Sequence, residues 1–147
     1  MKTGQSIDEQ SKALIETAAD FHGHLGPYLV IGVRMGLLAK QVLNSDGSSG
    51  LSATVNTGSK PPLSCVADGI QVATGCTLGK GNIKIRALNE ISSTFRTKQR
   101  AIQVKTKAEA IDSLKLDELR GSQKIMEKVA TKVSQMLDSQ LFNIEEL

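Results

Sequence analysis

The 147-residue chain has no tryptophan, one tyrosine and three phenylalanines. So few aromatic rings offer little for stacking against bases. The 18 basic and 15 acidic residues are interspersed along the chain, whereas a nucleic-acid footprint needs basic residues gathered on one face. The core must therefore be built from Leu, Ile, Val, Ala and Met, and we expect no nucleic-acid partner.

The chain also lacks an apolar run of about 18 residues, and no signal-like apolar segment follows its first residues. Only two cysteines are present, Cys65 and Cys76, and a domain of this size needs no disulfide for stability. These features predict a cytoplasmic protein without a membrane partner, in which both cysteines are thiols.

Length and composition are those of one globular domain. Apolar residues make up 39% of the chain and charged residues 22%, as in proteins that fold. Neither an internal repeat nor a linker interrupts the sequence, so residues 1–147 are predicted to form a single domain.

Two helices are predicted at the start of the chain. Ser6 and Glu9 have the spacing of a capping box, and apolar residues follow at helical spacing, so a first helix is predicted from about Ile7 to about Phe21. A second helix, apolar almost all round, is predicted over residues 28–43 after Pro27, which suits a first helical turn. Such a helix has more apolar surface than a small sheet can cover, which predicts a homodimer whose partner chain covers the rest. Gly32 and Gly36 on this helix indicate close packing against a neighbouring backbone.

Short strands occupy the middle of the chain. The patterns predict strands at residues 51–57, 83–87, 92–97 and 101–106, a helix at 65–74, and closing helices at 108–114 and 116–142. The order ααβαβββαα separates strands from helices instead of alternating them strictly. We therefore predict an α+β fold with a small antiparallel or mixed sheet of about four strands packed against helices.

Both histidines of the chain, His22 and His24, lie two residues apart in a glycine-flanked loop. In an extended segment such a pair can converge on one ligand, together with a third group from elsewhere. An H-x-H pair alone is equally explained if one histidine caps the preceding helix and the other is exposed.

Cys65 stands at the predicted start of a helix, where amide groups and the helix dipole favour a thiolate that binds metal or attacks a substrate. The alternative is an inert buried thiol. Cys76 would lie about 16 Å away along a continuous helix, so only a chain reversal could bring the two together. Asp68 and Gln71 share the helix of Cys65, and Asp68 also suits a helix N-terminus without any function.

Residues 75–82 form a glycine-rich loop with Thr77 and Lys80. Glycines can expose amide groups to an anion and a lysine can neutralise its charge. The loop lacks the Lys-Ser/Thr pair and the following helix of a nucleotide-hydrolysing P-loop, so an anion-binding turn is the most that it indicates.

Taken together, these motifs resemble the formylmethanofuran dehydrogenase E-subunit family. The resemblance is carried by Phe21-His22-Gly23-His24-Leu25-Gly26-Pro27, by the apolar helix with Gly32, Arg34 and Gly36, and by the stretch from Cys65 to Asn82. It implies an α+β domain that forms homodimers and holds a metal, usually zinc, near the histidine loop and the cysteine-bearing helix. Carried over by position, the implied metal ligands are His22, His24, Cys65 and Cys76, and the supporting polar groups at a cofactor site are Asp68, Gln71, Thr77 and Lys80.

The sequence departs from many family members at two places. Gly26 stands where they often have a cysteine before the proline, which removes one thiolate. No Cys or His follows Cys76, so the C-terminal zinc-ribbon-like module of many members is absent from this sequence.

Three functions compete at this point. The first is a homodimeric metal-binding or accessory protein of molybdenum- or tungsten-dependent one-carbon redox metabolism, with a partner in that redox complex. The second is a free-standing small enzyme in which Cys65 or a metal-bound water is the nucleophile and His22 or His24 the acid and base. The third is a module that binds an anionic cofactor at the Lys80 loop. The first two predict that Cys65 lies within ligand or hydrogen-bond reach of an imidazole.

Overall fold

A computed structural model describes residues 9–47 and 50–147 of the chain. The predicted capping residue Ser6 and the predicted helix start at Ile7 lie outside these residues. In order, the elements are α1 (Glu9–His22), α2 (Pro27–Val42), β1 (Ser52–Val55), α3 (Cys65–Thr74), β2 (Ile83–Ile85), β3 (Ser92–Arg96), β4 (Ala101–Thr106), α4 (Ala108–Leu114), a 3-10 helix (Leu116–Glu118), α5 (Gln123–Gln135), α6 (Asp138–Leu141) and β5 (Phe142–Glu146).

The strands form one mixed sheet in the order β2-β1-β3-β4-β5. β1 and β2 are parallel, with α3 as the crossover that such a pair requires, and the other neighbours are antiparallel. The predicted α+β fold with a mixed sheet is confirmed, and β5 adds a fifth strand to the four that the sequence patterns predict.

One hydrophobic core joins this sheet to the helices. Val55, Phe95, Ile102 and Val104 alternate along β1, β3 and β4 on one face of the sheet, and each is completely buried. Side chains of α2, α3 and α5 complete the same cluster. The sheet and its helices thus form the rigid frame on which the polar residues of the histidine loop and α3 are held.

α2 and α3 approach each other more closely than side chains would allow. A methyl group added at Gly32 would lie 2.1 Å from the Val66 carbonyl oxygen, and one at Gly69 would lie 2.2 Å from that of Leu29. The predicted packing of Gly32 against a neighbouring backbone is confirmed. Because the contact joins the N-terminal halves of both helices, Pro27 and Cys65 come to the same end of the helix pair.

α2 is buried along most of its length by this chain itself. Its residues from Pro27 to Gly36 are all buried, and it packs on α3, α5 and α1. The apolar circumference of this helix therefore does not by itself require a partner chain, and the homodimer stays a prediction. None of the helices in the described ranges has both the length and the apolar character needed to cross a membrane.

The prediction of one continuous helix over residues 116–142 is wrong. Gly121 has a φ of 124°, which breaks the helix, and the Ser122 hydroxyl then caps α5 by accepting the amide of Ile125. At the other end of α5, the guanidinium of Arg34 donates to the carbonyls of Val133, Ser134 and Met136. α5 therefore ends at Gln135, and the remaining residues form α6 and the edge strand β5.

Candidate functional site

A cavity of about 290 Å³ opens where the histidine loop meets the N-terminal ends of α2 and α3. His22, His24 and Cys65 all line it, and the segment from Leu116 to Met126 closes the opposite side. Three of the four residues that the family resemblance implies as metal ligands therefore line one cavity.

A second, larger depression of about 1050 Å³ runs along α3 on the other side of the site, and we call it the α3 groove. Asp68, Gln71 and Thr77 line the groove, and so do His22 and Cys65. The last two side chains therefore form the boundary between the cavity and the groove, where they can be reached from either.

The His22 side chain is held by Asp68. His22 is the last residue of α1, Asp68 lies in the first turn of α3, and the His22 Nδ1 to Asp68 Oδ2 distance is 2.6 Å. Asp68 Oδ1 also accepts a hydrogen bond of 3.3 Å from Gln71 Nε2. When the neutral imidazole donates from Nδ1 to this carboxylate, its lone pair lies on Nε2, the nitrogen left for a ligand.

His24 lies against His22, with 4.7 Å between the ring centroids and 42° between the ring planes. Gly26 borders this ring, since a methyl group built at position 26 would lie 4.0 Å from His24 Nε2. Gly26 has φ −147° and ψ 163°, an extended conformation that any residue adopts. A side chain at position 26 would therefore reach the histidine pair without strain.

The Cys65 thiol is less acidic than its place at a helix start predicts. Burial raises the pKa of Cys65, and the nearby negative charge of Asp68 raises that pKa further. These two effects outweigh the hydrogen bonding at the helix terminus, which lowers the pKa. The raised pKa favours a protonated thiol in the metal-free protein, which is the alternative to a thiolate that the sequence left open.

Cys76 lies in the core. Its side chain is completely buried, and Sγ lies 3.3 Å from the Leu51 carbonyl oxygen, to which the thiol donates. The chain does reverse after α3, at Gly75 with φ 77°, but Cys76 is absent from the linings of both the cavity and the α3 groove. The reversal that would have joined the two cysteines instead carries the second one into the hydrophobic cluster.

Most amides of the glycine-rich loop already donate to acceptors within this protein. Thr77 donates to Asn82 Oδ1 and Leu78 donates to Gln71 Oε1, while Lys80 and Gly81 donate to the Thr77 carbonyl. These amides already have acceptors, so the loop does not present them to an anion. The Lys80 side chain is exposed and does not line the α3 groove.

The side chains at the site are of the types that bind zinc, but within the described part of the chain too few of them converge to form a complete metal site. Imidazole and thiol are favoured zinc ligands, and a carboxylate behind an imidazole is typical of such sites. Within residues 9–47 and 50–147, however, no three His, Cys, Asp or Glu side chains are placed to hold one metal ion. His22 and Cys65 both line the cavity and the α3 groove, but the described side chains do not form a closed metal cage.

The sequence patterns miss the residues that close the cavity. Tyr28 lies at the start of α2. Burial is the main cause that raises the pKa of its phenol, and the negative charges of Asp117 and Cys65 raise it further. Asp117 and Arg120 line the cavity from the segment that the patterns predict as continuous helix. The signal for a bend is present in Gly121-Ser122, a helix breaker followed by a capping residue.

Fold and site together define an α+β domain with a five-stranded mixed sheet and a histidine and cysteine site between helix ends. A family model described as FmdE, molybdenum formylmethanofuran dehydrogenase operon, matches residues 21–145. The chain therefore belongs to the FmdE family, which confirms the resemblance seen in its motifs.

Two relatives extend this comparison. A probable S-adenosyl-L-methionine-binding protein of Archaeoglobus fulgidus is 31% identical over 112 residues, or 73% of this chain, which spans only 31% of that protein. A tungsten formylmethanofuran dehydrogenase FmdE-like protein from Syntrophus aciditrophicus superposes with a TM-score of 0.67 at 16% identity, over all of this chain and 77% of that one. At this identity the second likeness shows the fold alone.

Proposed function

We propose that the chain is an accessory protein of formylmethanofuran dehydrogenase-type one-carbon metabolism that binds a divalent metal ion, zinc by preference, through His22 and Cys65. The observation that carries the proposal is the 2.6 Å contact between His22 Nδ1 and Asp68. A carboxylate behind an imidazole fixes the ring, holds the tautomer with a free Nε2 and makes that nitrogen a better ligand.

The proposed site is open. His22 and Cys65 would supply two of the four ligands that zinc usually takes, and the remaining positions would be left to water or to a bound ligand. When bound, the metal would offer a Lewis-acid centre at the boundary between the cavity and the α3 groove. Gly26 itself adds no donor beside the His24 ring, the nearest group to a methyl built at this position.

The other two functions have less support. An enzyme that uses Cys65 as a free thiolate needs a lowered pKa, whereas burial and Asp68 raise it. An anionic cofactor at the Lys80 loop would have to displace hydrogen bonds that the loop amides already make. The homodimer, the partner in a redox complex and the cytoplasmic location accompany the proposal as predictions.

The direct test is the zinc affinity of untagged, metal-free protein, measured in competition with a chromogenic chelator. Native protein should bind one zinc ion per chain. Cys65→Ser and His22→Gln should each lower the affinity by at least about tenfold, and Asp68→Asn by about 10- to 100-fold, as for other groups that orient a ligand.

Cys76→Ala is the matched control, since it removes the other thiol of the chain from the core and should leave zinc affinity unchanged. Circular dichroism of each variant would verify the fold. Native protein that takes up no zinc, or a Cys65→Ser variant that binds it as tightly as native protein, would overturn the proposal.

A further inference from the structure

Two opposite charges lie at the opening of the cavity without neutralising each other. Asp117 and Arg120 both line the cavity and both are exposed to solvent, so they stand where it opens. Among the described residues no ion pair involves either of them, and Arg120 donates only to the carbonyl of its neighbour Leu119, at 3.5 Å. Both charges are therefore available to a ligand.

Behind these charges the wall is mostly apolar. Leu29, Leu63, Leu116, Leu119, Met126 and Pro62 all face the same space. Its volume of about 290 Å³ lies at the lower end of the range of about 300 to 1,000 Å³ that is usual for small-molecule sites. The cavity thus suits a small apolar group whose polar end remains at the opening.

From this arrangement we infer that the cavity binds an α-amino acid, or the amino-acid end of a larger ligand, with an apolar side chain. The ammonium group lies at Asp117, the carboxylate at Arg120 and the side chain among the leucines. The inference goes beyond the proposed metal site, because neither charged residue is a metal donor in that site and binding needs no metal.

The charges supply the selectivity. An arginine matches a carboxylate with two parallel hydrogen bonds, and a carboxylate accepts strongly from an ammonium group. Amines and acids with the same side chain each satisfy only one of the two charges. Only a zwitterion satisfies both, so it should bind more tightly than either.

Three probes of one shape test the inference: L-leucine, 3-methylbutan-1-amine and 4-methylpentanoate, titrated calorimetrically into protein kept in excess chelator. Native protein should bind leucine about two- to fivefold more tightly than the amine or the acid, the range expected when an exposed charge gains an ionic partner. Higher salt should weaken leucine binding because both charges are exposed.

The variants should separate the two charges. Asp117→Asn should bind leucine no better than 4-methylpentanoate, and Arg120→Gln should bind leucine no better than the amine. The matched controls are Glu118→Gln and Lys124→Gln, which change neighbouring charges that do not line the cavity and should keep the native preference. No binding of leucine, equal binding of all three probes by native protein, or a preference that survives both cavity variants would overturn the inference. Because no metal is present, these outcomes are independent of the zinc experiment.

Discussion

At the scale of single residues, the site depends on which atoms of His22 and Cys65 are left for a ligand. Asp68 acts on both residues in opposite ways. Its hydrogen bond to Nδ1 prepares the imidazole for a metal, while its charge raises the pKa of the thiol. A bound cation would reverse the second effect, because it favours the thiolate that it coordinates.

A cysteine at position 26 should strengthen metal binding. Gly26 has an extended backbone, and the nearest atoms to an added methyl group are those of the His24 ring at 4.0 Å. We expect Gly26→Cys to raise zinc affinity by about tenfold or more. Removing a group that only orients a metal ligand lowers affinity by about tenfold or more, and a thiolate would bind the metal directly. Gly26→Ser, of nearly equal size, should leave the affinity as it is. An affinity that rises equally in both variants would contradict this account of the site.

The alkylation rate of Cys65 should report its raised pKa. Metal-free protein treated with iodoacetamide should react at Cys65 with a midpoint above the ordinary pKa of 9.0, and Asp68→Asn should bring the midpoint down. The buried Cys76 should react only after unfolding. Folding raises the pKa of Cys65, so the stabilisation linked to its proton is fully present below the pKa of the unfolded chain. This stabilisation is lost as the pH rises through the pKa of the folded protein. A midpoint below that of an exposed cysteine would contradict the prediction.

At the scale of the elements, the glycine contact between α2 and α3 places the site. Gly32→Ala or Gly69→Ala would push a methyl group to within about 2 Å of a carbonyl oxygen on the facing helix. Overpacking costs about 1 to 3 kcal/mol where side chains can shift. Here the backbone must move, so we expect the free energy of unfolding to fall by at least about 3 kcal/mol. Urea unfolding would measure it.

Gly79→Ala is the control for that prediction. A methyl group at Gly79 would meet nothing within 4 Å, and its backbone is not in the left-handed region. The free energy of unfolding of the Gly79→Ala variant should differ from that of native protein by less than about 0.5 kcal/mol, as for other surface substitutions. Equal losses at Gly79 and Gly32 would show that the close approach of α2 and α3 does not set the stability.

The elements also show what local patterns can and cannot predict. The run of apolar residues after Pro27 and the segment from Cys65 to Thr74 are predicted as helices nearly as they occur. The end of the chain is not, because Leu137 and Leu141 continue the helical spacing of α5. What ends α5 is Arg34, whose bonds to three carbonyls come from about a hundred residues away in sequence. The short alternation of Phe142 and Ile144 is the only local sign of β5.

The site is predictable to a similar extent. His22, His24 and Cys65 stand out because of their chemistry and flanking residues, and they do border one cavity. The pairing of His22 with Asp68 joins positions 46 residues apart and has no local signal. The burial of Cys76 and the partial burial of Cys65 also depend on packing, so local sequence predicts neither the core position of Cys76 nor the raised pKa of Cys65.

At the scale of the whole molecule, we expect a homodimer that covers the α3 groove. Phe21, Leu78 and Ile85 border this groove with 61%, 81% and 45% of their surface exposed, and apolar surface of this kind marks an interface. Sedimentation at micromolar concentration should give twice the 15.7 kDa of one chain. Leu78→Glu should yield monomers, whereas Leu88→Glu, exposed but away from the groove, should not. Monomeric native protein would contradict the prediction.

X-ray absorption spectroscopy of the zinc-loaded protein tests the central claim, metal binding by His22 and Cys65, most directly. One sulfur at about 2.3 Å and one imidazole nitrogen at about 2.0 to 2.1 Å should be seen among the ligands. Cys65→Ser should lose the sulfur, and His22→Gln the imidazole, while Cys76→Ala keeps both. A zinc spectrum without sulfur, or one in which the sulfur remains after Cys65→Ser, would contradict the claim.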